Sequence, residues 1–336
     1  MKGDTYGADL GKRIVFRDVG LVDVEDFEVP EPKPNEVLVR TVSTLISPGT
    51  ETAFLMALPN TSGRFPQHPG YSNAGVVISV GDSVSRFKVG DRVVSYREHA
   101  SHVTVPEEDT QRIPESVPYD EATFFALGSI ALQGVRKAGI ELGESVLVLG
   151  QGLVGLLALQ HAGLSGGIPL IAVDLYENRL EASLNLGADY ALNPAKIDLE
   201  REISEITGGK GVNVVIEATG NPKVIPTALR LAGRFGRVVL LGSPRGLTEV
   251  NFYREVHRKG ITVVGAHASV RPRYESFKGF WTRRDDTALV LELIKRGKLR
   301  VRDLITRKLR FTDAKEAYRM LIESKGETLG IVLEWK

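Results

Sequence analysis

The period of the apolar residues changes near residue 119, which divides the chain into two kinds of text. Before it, short runs rich in Val and Ile at residues 37–42, 75–80, 91–96 and 102–105 stand between Gly, Pro, Asp and Asn. β-branched runs of that length, bounded by turn formers, predict the strands of a small antiparallel barrel. From Tyr119 the pattern turns helical. Asp120 and Glu121 open an apolar stretch to Leu127, and acidic residues suit the positive end of a helix dipole. Beyond it, runs at 146–149, 170–173, 212–216, 237–241 and 261–264 are almost wholly apolar and alternate with helical segments. Such runs predict parallel strands buried on both faces, a doubly wound α/β unit. After 269 the text is helical and charged at 286–296 and 313–323, and it ends on a strand-like run at 330–335. The expected organisation is a β-rich catalytic unit at 1–118, a dinucleotide-binding unit at 119–269, and a return to the first unit at 270–336.

Length and composition sharpen this. A chain of 336 residues accommodates two domains, each with its own core. With 42% apolar and 25% charged residues and a formal charge of +1, it has no overall field to draw nucleic acid or an anionic membrane, so small molecules are the expected partners. The absence of cysteine excludes disulfides, thiolate zinc sites, iron–sulfur ligation and a cysteine nucleophile. Residues 1–17 are interrupted by Lys2, Asp4, Asp9, Lys12 and Arg13 and lack the apolar run of a secretory signal, which points to the cytoplasm. Residues 145–173 carry no charge over a length that would span a membrane. Gly150, Gly152, Gly155, Gly163, Gly166, Gly167 and Pro169 break that stretch into strand, turn, helix, turn and strand.

The sharpest chemical signal lies in this stretch. Gly150-Gln151-Gly152-Leu153-Val154-Gly155 follows a predicted strand and opens a predicted helix, the context in which G-x-G-x-x-G marks a dinucleotide site. The first glycine permits a tight turn, the second lets the backbone approach a pyrophosphate, and the third lets helix pack close to strand. Asp174 ends the next strand, where a carboxylate accepts from both adenosine ribose hydroxyls and repels a 2′-phosphate, so NAD(H) is expected over NADP(H). Arg179 is counted with this site. Small residues at three further strand ends, Ala218-Thr219-Gly220, Gly242-Ser243 and Gly265-Ala266, leave room for a nicotinamide ribose at the edge where such sheets bind ligands.

With these features the chain resembles the medium-chain dehydrogenase/reductase superfamily over nearly its whole length. The marker of that superfamily's GroES-like domain is the segment 80–94, with Gly81-Asp82 and Gly90-Asp91-Arg92-Val93. The resemblance places the active site between the two units. It also marks departures from the zinc-dependent branch: Pro48-Gly49-Thr50-Glu51 stands for Cys-Gly-Thr-Asp, Pro69-Gly70-Tyr71-Ser72 for Pro-Gly-His-Glu, and the third ligand falls near Ala126. Proline, tyrosine and alanine do not replace thiolate and imidazole as zinc ligands. The run 46–51 together with Pro69-Gly70-Tyr71 resembles a zinc-free subgroup that includes bacteriochlorophyllide dehydrogenases and two-domain sugar oxidoreductases. The family often forms dimers or tetramers, so a homo-oligomer is expected.

Without zinc, side chains must move the alcohol proton and stabilise the alkoxide. By resemblance Thr50, Glu51 and Tyr71 stand at the cleft and His102 borders it, while His267 follows the last strand of the dinucleotide unit. The plainer reading makes Thr50 and Glu51 a turn and cap, Tyr71 a packing residue, and the histidines surface or packed groups. His99 and His102 fall three apart in strand-like text, on opposite faces, which argues against a metal pair. His68, His161 and His257 read as surface residues. The segment 271–284 mixes Arg with aromatics and is expected to connect domains or cover substrate, suiting a hydroxylated or anionic molecule. The expected activity is zinc-independent, NAD(H)-dependent hydride transfer on a secondary alcohol or ketone of a sugar, cyclitol or polyol. The alternatives are a quinone or enone reductase of the same fold and a non-catalytic NAD(H) sensor.

Overall fold

The computed structural model describes residues 10–272 and 274–336. Residues 1–9, half of the stretch read as lacking a secretory signal, and Arg273 of the 271–284 segment lie outside the described residues. The chain opens with an antiparallel hairpin, β1 (Leu10–Asp18) and β2 (Leu21–Glu28). There follow β3 (Glu36–Leu45), α1 (Pro48–Leu55), β4 (Asn73–Val80), β5 (Arg92–Ser95), β6 (His102–Pro106) and β7 (Thr110–Arg112). β3 is the hub of this unit and pairs antiparallel with β4, β6 and the last strand of the chain. Its inward residues Val37 and Val39 pack with Val77, Val93, Val103 and Val105 in one buried cluster.

Two short helices, α2 (Tyr119–Ala122) and α3 (Phe125–Ala138), lead out of the barrel. The sequence predicts a single helix here; the chain breaks it between Ala122 and Phe125. Next come β8 (Val146–Leu149), α4 (Leu153–Leu164), β9 (Leu170–Val173), α5 (Glu177–Asn185), β10 (Tyr190–Leu192), α6 (Leu199–Ile206), β11 (Val212–Glu217), α7 (Ile225–Leu231), β12 (Ala232–Leu240) and β13 (Thr262–Gly265). These strands form a parallel sheet in the order β10-β9-β8-β11-β12-β13. The chain reverses its direction of winding between β8 and β11, the switch point at which sheets of this kind bind ligands. The uncharged stretch 145–173 resolves into β8, α4 and β9. α4 has 12 residues, and among the described residues no helix is long and apolar enough to cross a membrane.

After β13 the chain does not go straight back to the barrel. α8 (Arg283–Lys295) packs on α3, and only then do β14 (Ile305–Arg310), α9 (Ala314–Glu323) and β15 (Gly330–Glu334) follow. β14 pairs parallel with β15, which pairs antiparallel with β3, so the end of the chain completes the sheet begun near its start. The largest buried cluster joins both units, combining Leu45, Ala74 and Val94 of the first with Ala126, Val148, Leu157 and Val214 of the second. The fold is therefore a GroES-like β-rich unit beside a doubly wound parallel sheet.

Two histidine readings need correction. His161 is 1% exposed, not at the surface. It lies on α4 against α3, with Nε2 3.2 Å from the Gly128 carbonyl. The helix it belongs to is apolar all round, so its one titratable residue is carried inside with the rest. His99 is in a loop rather than a strand and is fully buried.

Candidate active site and dinucleotide cleft

The glycine motif folds as its spacing requires. Gly150 turns sharply out of β8 at φ +89°. A Cβ on Gly155 would sit 1.8 Å from the Gly150 carbonyl oxygen, which explains why helix can lie this close to strand only with glycine there. Gly152 is the N-cap of α4 with no side-chain cap, and a Cβ built on it meets nothing within 4 Å. The amides of Leu153, Val154 and Gly155 make up the uncapped first turn of α4, whose N–H groups have no partner within the helix, as at helix starts that bind phosphate. Asp174, 8% exposed at the end of β9, accepts from Gln151 N at 2.7 Å and Tyr176 N at 3.0 Å. Arg179 lies beside it, Nη1 3.7 Å from Asp174 Oδ2. It is tethered, stacking over Tyr176 and donating to the Lys325 carbonyl at 2.6 Å.

Ala218-Thr219-Gly220 and Gly242-Ser243 lie side by side on the same edge, a Cβ on Gly220 falling 2.8 Å from the Ser243 carbonyl oxygen. Glu217, which the sequence reading passed over, pins this turn. Its buried carboxylate accepts from Thr219 N at 2.7 Å and from the Thr219 hydroxyl, and burial pushes its pKa up. A buried acid directly before a Thr-Gly turn is the signal that would have found it. Gly265 and Ala266 end β13, where the Gly265 carbonyl accepts from Lys137 Nζ at 2.9 Å and Ala266 N bonds the Leu240 carbonyl at 3.1 Å.

On the barrel side, Ser47 caps α1 and Pro48 takes its first turn, where a missing N–H costs nothing. Tyr71, half-buried after Gly70, donates to Ser47 Oγ at 2.5 Å and is hydrogen-bonded to Thr50 as well. Burial pushes the Tyr71 phenol up to about 12, with the Glu51 charge adding to that rise and the bonds to Ser47 and Thr50 opposing it. Tyr71, Thr50 and Ser47 therefore form one hydroxyl cluster, of which Ser47 is not among the residues the sequence reading selected. Tyr96 stands near enough to act on Tyr71 electrostatically. Its hydroxyl meets Thr287 Oγ1 at 2.8 Å, and its ring lies edge-on to Phe125 with centroids 4.8 Å apart.

The remaining sequence candidates are not in this cluster. Glu51, 3% exposed, has both oxygens engaged: Oε1 accepts from Ser47 N at 2.8 Å, and Oε2 meets His99 Nε2 at 2.9 Å and Tyr318 Oη at 2.5 Å. His102 on β6 lines a pocket with Arg13, Phe27 and Glu28 on the side of the β1–β2 hairpin. His267 is exposed, and its Nδ1 accepts from Ser269 N at 3.2 Å in its own turn. In the 271–284 segment, Arg271 is committed to α3 through Ser129 Oγ and Gln133 Oε1, both at 2.8 Å.

The descriptions of known families agree with this architecture. Residues 33–135 match the alcohol dehydrogenase GroES-like domain and residues 154–283 the zinc-binding dehydrogenase family. L-threonine 3-dehydrogenase of Pyrococcus abyssi is 30% identical, covering 90% of this chain and 92% of that one. D-guloside 3-dehydrogenase of Escherichia coli is 28% identical over 75% of this chain and 73% of its own. In fold, 2R,3R-butanediol dehydrogenase from Bacillus subtilis superposes with a TM-score of 0.81 at 24% identity, covering 96% of this chain and 99% of that one. The chain belongs to the medium-chain alcohol dehydrogenase-like superfamily and is a nicotinamide-dependent oxidoreductase of that type.

Proposed function

We propose that this protein moves hydride between NAD(H) and a secondary alcohol or ketone of a sugar, cyclitol or polyol without zinc, using Tyr71 as the group that exchanges the substrate proton. The observation that carries this reading is the hydroxyl cluster of Tyr71, Ser47 and Thr50, in which Tyr71 takes the position that the resemblance gives to a ligand of the zinc-dependent branch. Pro48 has no side-chain donor atom, Ala126 is apolar and fully buried, and a phenol pushed to about 12 stays protonated, so the three side chains offer a proton rather than a ligand set. The segment matching the zinc-binding family, 154–283, contains none of the three. Asp174 supports NAD(H) over NADP(H), since a 2′-phosphate would meet its carboxylate, and Arg179 beside it is already engaged by Asp174 and the Lys325 carbonyl.

In the bound state the nicotinamide supplies or accepts the hydride. The chain's residues do the rest. The amides of Leu153 to Gly155 hold phosphate oxygens, Asp174 orients the adenosine ribose, and the turn pinned by Glu217 shapes the nicotinamide side. For ketone reduction the Tyr71 hydroxyl would donate its proton to the substrate oxygen, and Ser47 and Thr50 would relay a proton from solvent back to the phenolate; oxidation would run the same relay in reverse. The same reading expects a cytoplasmic protein that forms a dimer or tetramer of like chains; the outer edge of β13, without a neighbouring strand among the described residues, and its exposed Val263 support the oligomer. Incubating the purified protein with NAD+ and a polyol panel, and with NADH and quinones or enones, tests the assignment. Turnover of polyols alone supports it; reduction of enones alone, or binding without turnover, rejects it.

A further inference from the structure

The turn after β12 carries a cation that no carboxylate pairs with among the described residues. Pro244 and Arg245 reach across to the loop that follows α1 and clasp Asn60: Asn60 Nδ2 donates to the Pro244 carbonyl at 2.8 Å and Arg245 Nη1 donates to the Asn60 carbonyl at 3.0 Å. Asn60 holds the left-handed conformation, φ +63°. The guanidinium is half-buried, and among the described residues no carboxylate pairs with it. A neutral carbonyl occupies one of its five N–H groups. Burial pushes its pKa down, and Tyr71 is the group whose charge acts on it in the opposite sense. Since burial keeps the Tyr71 phenol protonated near neutrality, that partner brings no compensating charge. Arg245 therefore stands two residues beyond Ser243, tied across to the loop after α1, as a partly exposed cation that no carboxylate pairs with among the described residues. Four of its N–H groups are left to an incoming anion.

We propose that Arg245 is the specificity-determining residue of the cleft and that the substrate is a hydroxylated anion whose carboxylate or phosphate oxygens it binds. A planar guanidinium pairs with either group through two parallel N–H···O bonds, fixing the orientation as well as the charge of the substrate. The Asn60 clasp ties the turn after β12 to the barrel unit through one of the guanidinium N–H groups. The oxidised nicotinamide is also cationic, so the anion is attracted by both. This proposal rests on the reading of Tyr71 as facing the reacting carbon and adds the chemical class of what lies there.

The test compares kcat/KM with NAD+ for six-carbon aldonates, six-carbon alditol phosphates and the neutral alditols of the same chain length. The wild-type protein is expected to favour one anionic class over the alditols by about 10²-fold, the size of a lost buried charge pair. Arg245→Met should collapse that ratio through KM, and Arg245→Lys should restore part of it. Asn60→Gly, which removes the amide but keeps the carbonyl, separates the clasp from the charge and should keep the ratio. Equal or better turnover of neutral alditols by the wild-type protein, or an equal loss on every substrate in Arg245→Met, overturns the proposal. If no compound is oxidised, the dehydrogenase reading fails on this panel and tartrate decides the role of Arg245 separately. Saturable tartrate binding to the NADH-bound protein, read by NADH fluorescence and lost in Arg245→Met, supports it; no binding, or binding kept in the variant, overturns it.

Discussion

The Tyr318 hydroxyl donates to Glu51 Oε2 at 2.5 Å, joining residues 267 positions apart and tying α9 to the helix that opens the active site. Glu51 passes the constraint on, because its other oxygen accepts from the Ser47 amide, and Ser47 receives the Tyr71 proton. The end of the chain thereby fixes the cap on which the proposed donor rests. Tyr318→Phe should cost about 1.5–3 kcal/mol, as for a hydrogen bond to a charged group. Glu51→Leu should cost more, roughly 3–5 kcal/mol, since it strands buried donors. Urea melts check both. A Glu51→Gln protein of undiminished stability whose turnover has vanished would make Glu51 the proton carrier and not the brace described here.

His161 predicts an acid-sensitive fold. Burial drags its pKa from the model-peptide value of 6.5 to about 4, with Arg136 adding to the effect and the Gly128 carbonyl opposing it. A folded-state value below the unfolded one means that the unfolded chain binds the proton first. Stability is complete above pH 6.5 and is lost as pH falls toward 4. From pH 7.5 to pH 5 this residue alone should remove about 2 kcal/mol. His161→Leu should flatten that part of the curve in urea melts at each pH, and an unchanged slope would show that the imidazole is not held neutral.

Cofactor choice turns on Asp174. Two like charges about 4 Å apart repel by about 4 kcal/mol even at an effective dielectric of 20, so removing one has a large effect. Asp174→Ser should raise NADPH affinity relative to NADH by roughly tenfold or more. It also removes the acceptor for Gln151 N and Tyr176 N, so some loss of NADH binding is expected as well. Fluorescence titration of both cofactors measures this. Equal affinity of the unaltered protein for NADH and NADPH would refute the assignment.

The dinucleotide unit was legible because its signals are local. A strand, three glycines and a helix start lie within a dozen residues, and buried parallel strands announce themselves as apolar runs. β1 and β2 were not read, since they alternate charged residues with apolar ones and half of each faces outward. β14 was hidden for the same reason, its sequence Ile-Thr-Arg-Lys-Leu-Arg being mostly polar. Of the catalytic candidates, Thr50 and Tyr71 meet, because the resemblance fixed their positions around one helix cap. Ser47, Glu217 and Arg245 escaped notice. Their roles depend on partners 24 residues away, on burial, or on the other unit, none of which a linear motif encodes.

The proposed metal independence rests on the donor set at Pro48, Tyr71 and Ala126. Elemental analysis of active protein should find well under one zinc per chain, and chelators should leave turnover intact. A stoichiometric metal whose removal and return abolished and restored activity would contradict this.

The most direct measurement is the turnover of Tyr71→Phe across pH, on the true substrate and in both directions. With the phenol pushed up to about 12, reduction by the unaltered protein should hold steady from pH 6 to 9, while oxidation should rise with pH as the ionised fraction grows. Tyr71→Phe should lower kcat by roughly 10²-fold or more and flatten the oxidative rise, while NADH binding stays close to that of the unaltered protein. Full turnover in Tyr71→Phe, or an unaltered profile with an apparent pKa near 7, would contradict the account and move the proton to a histidine.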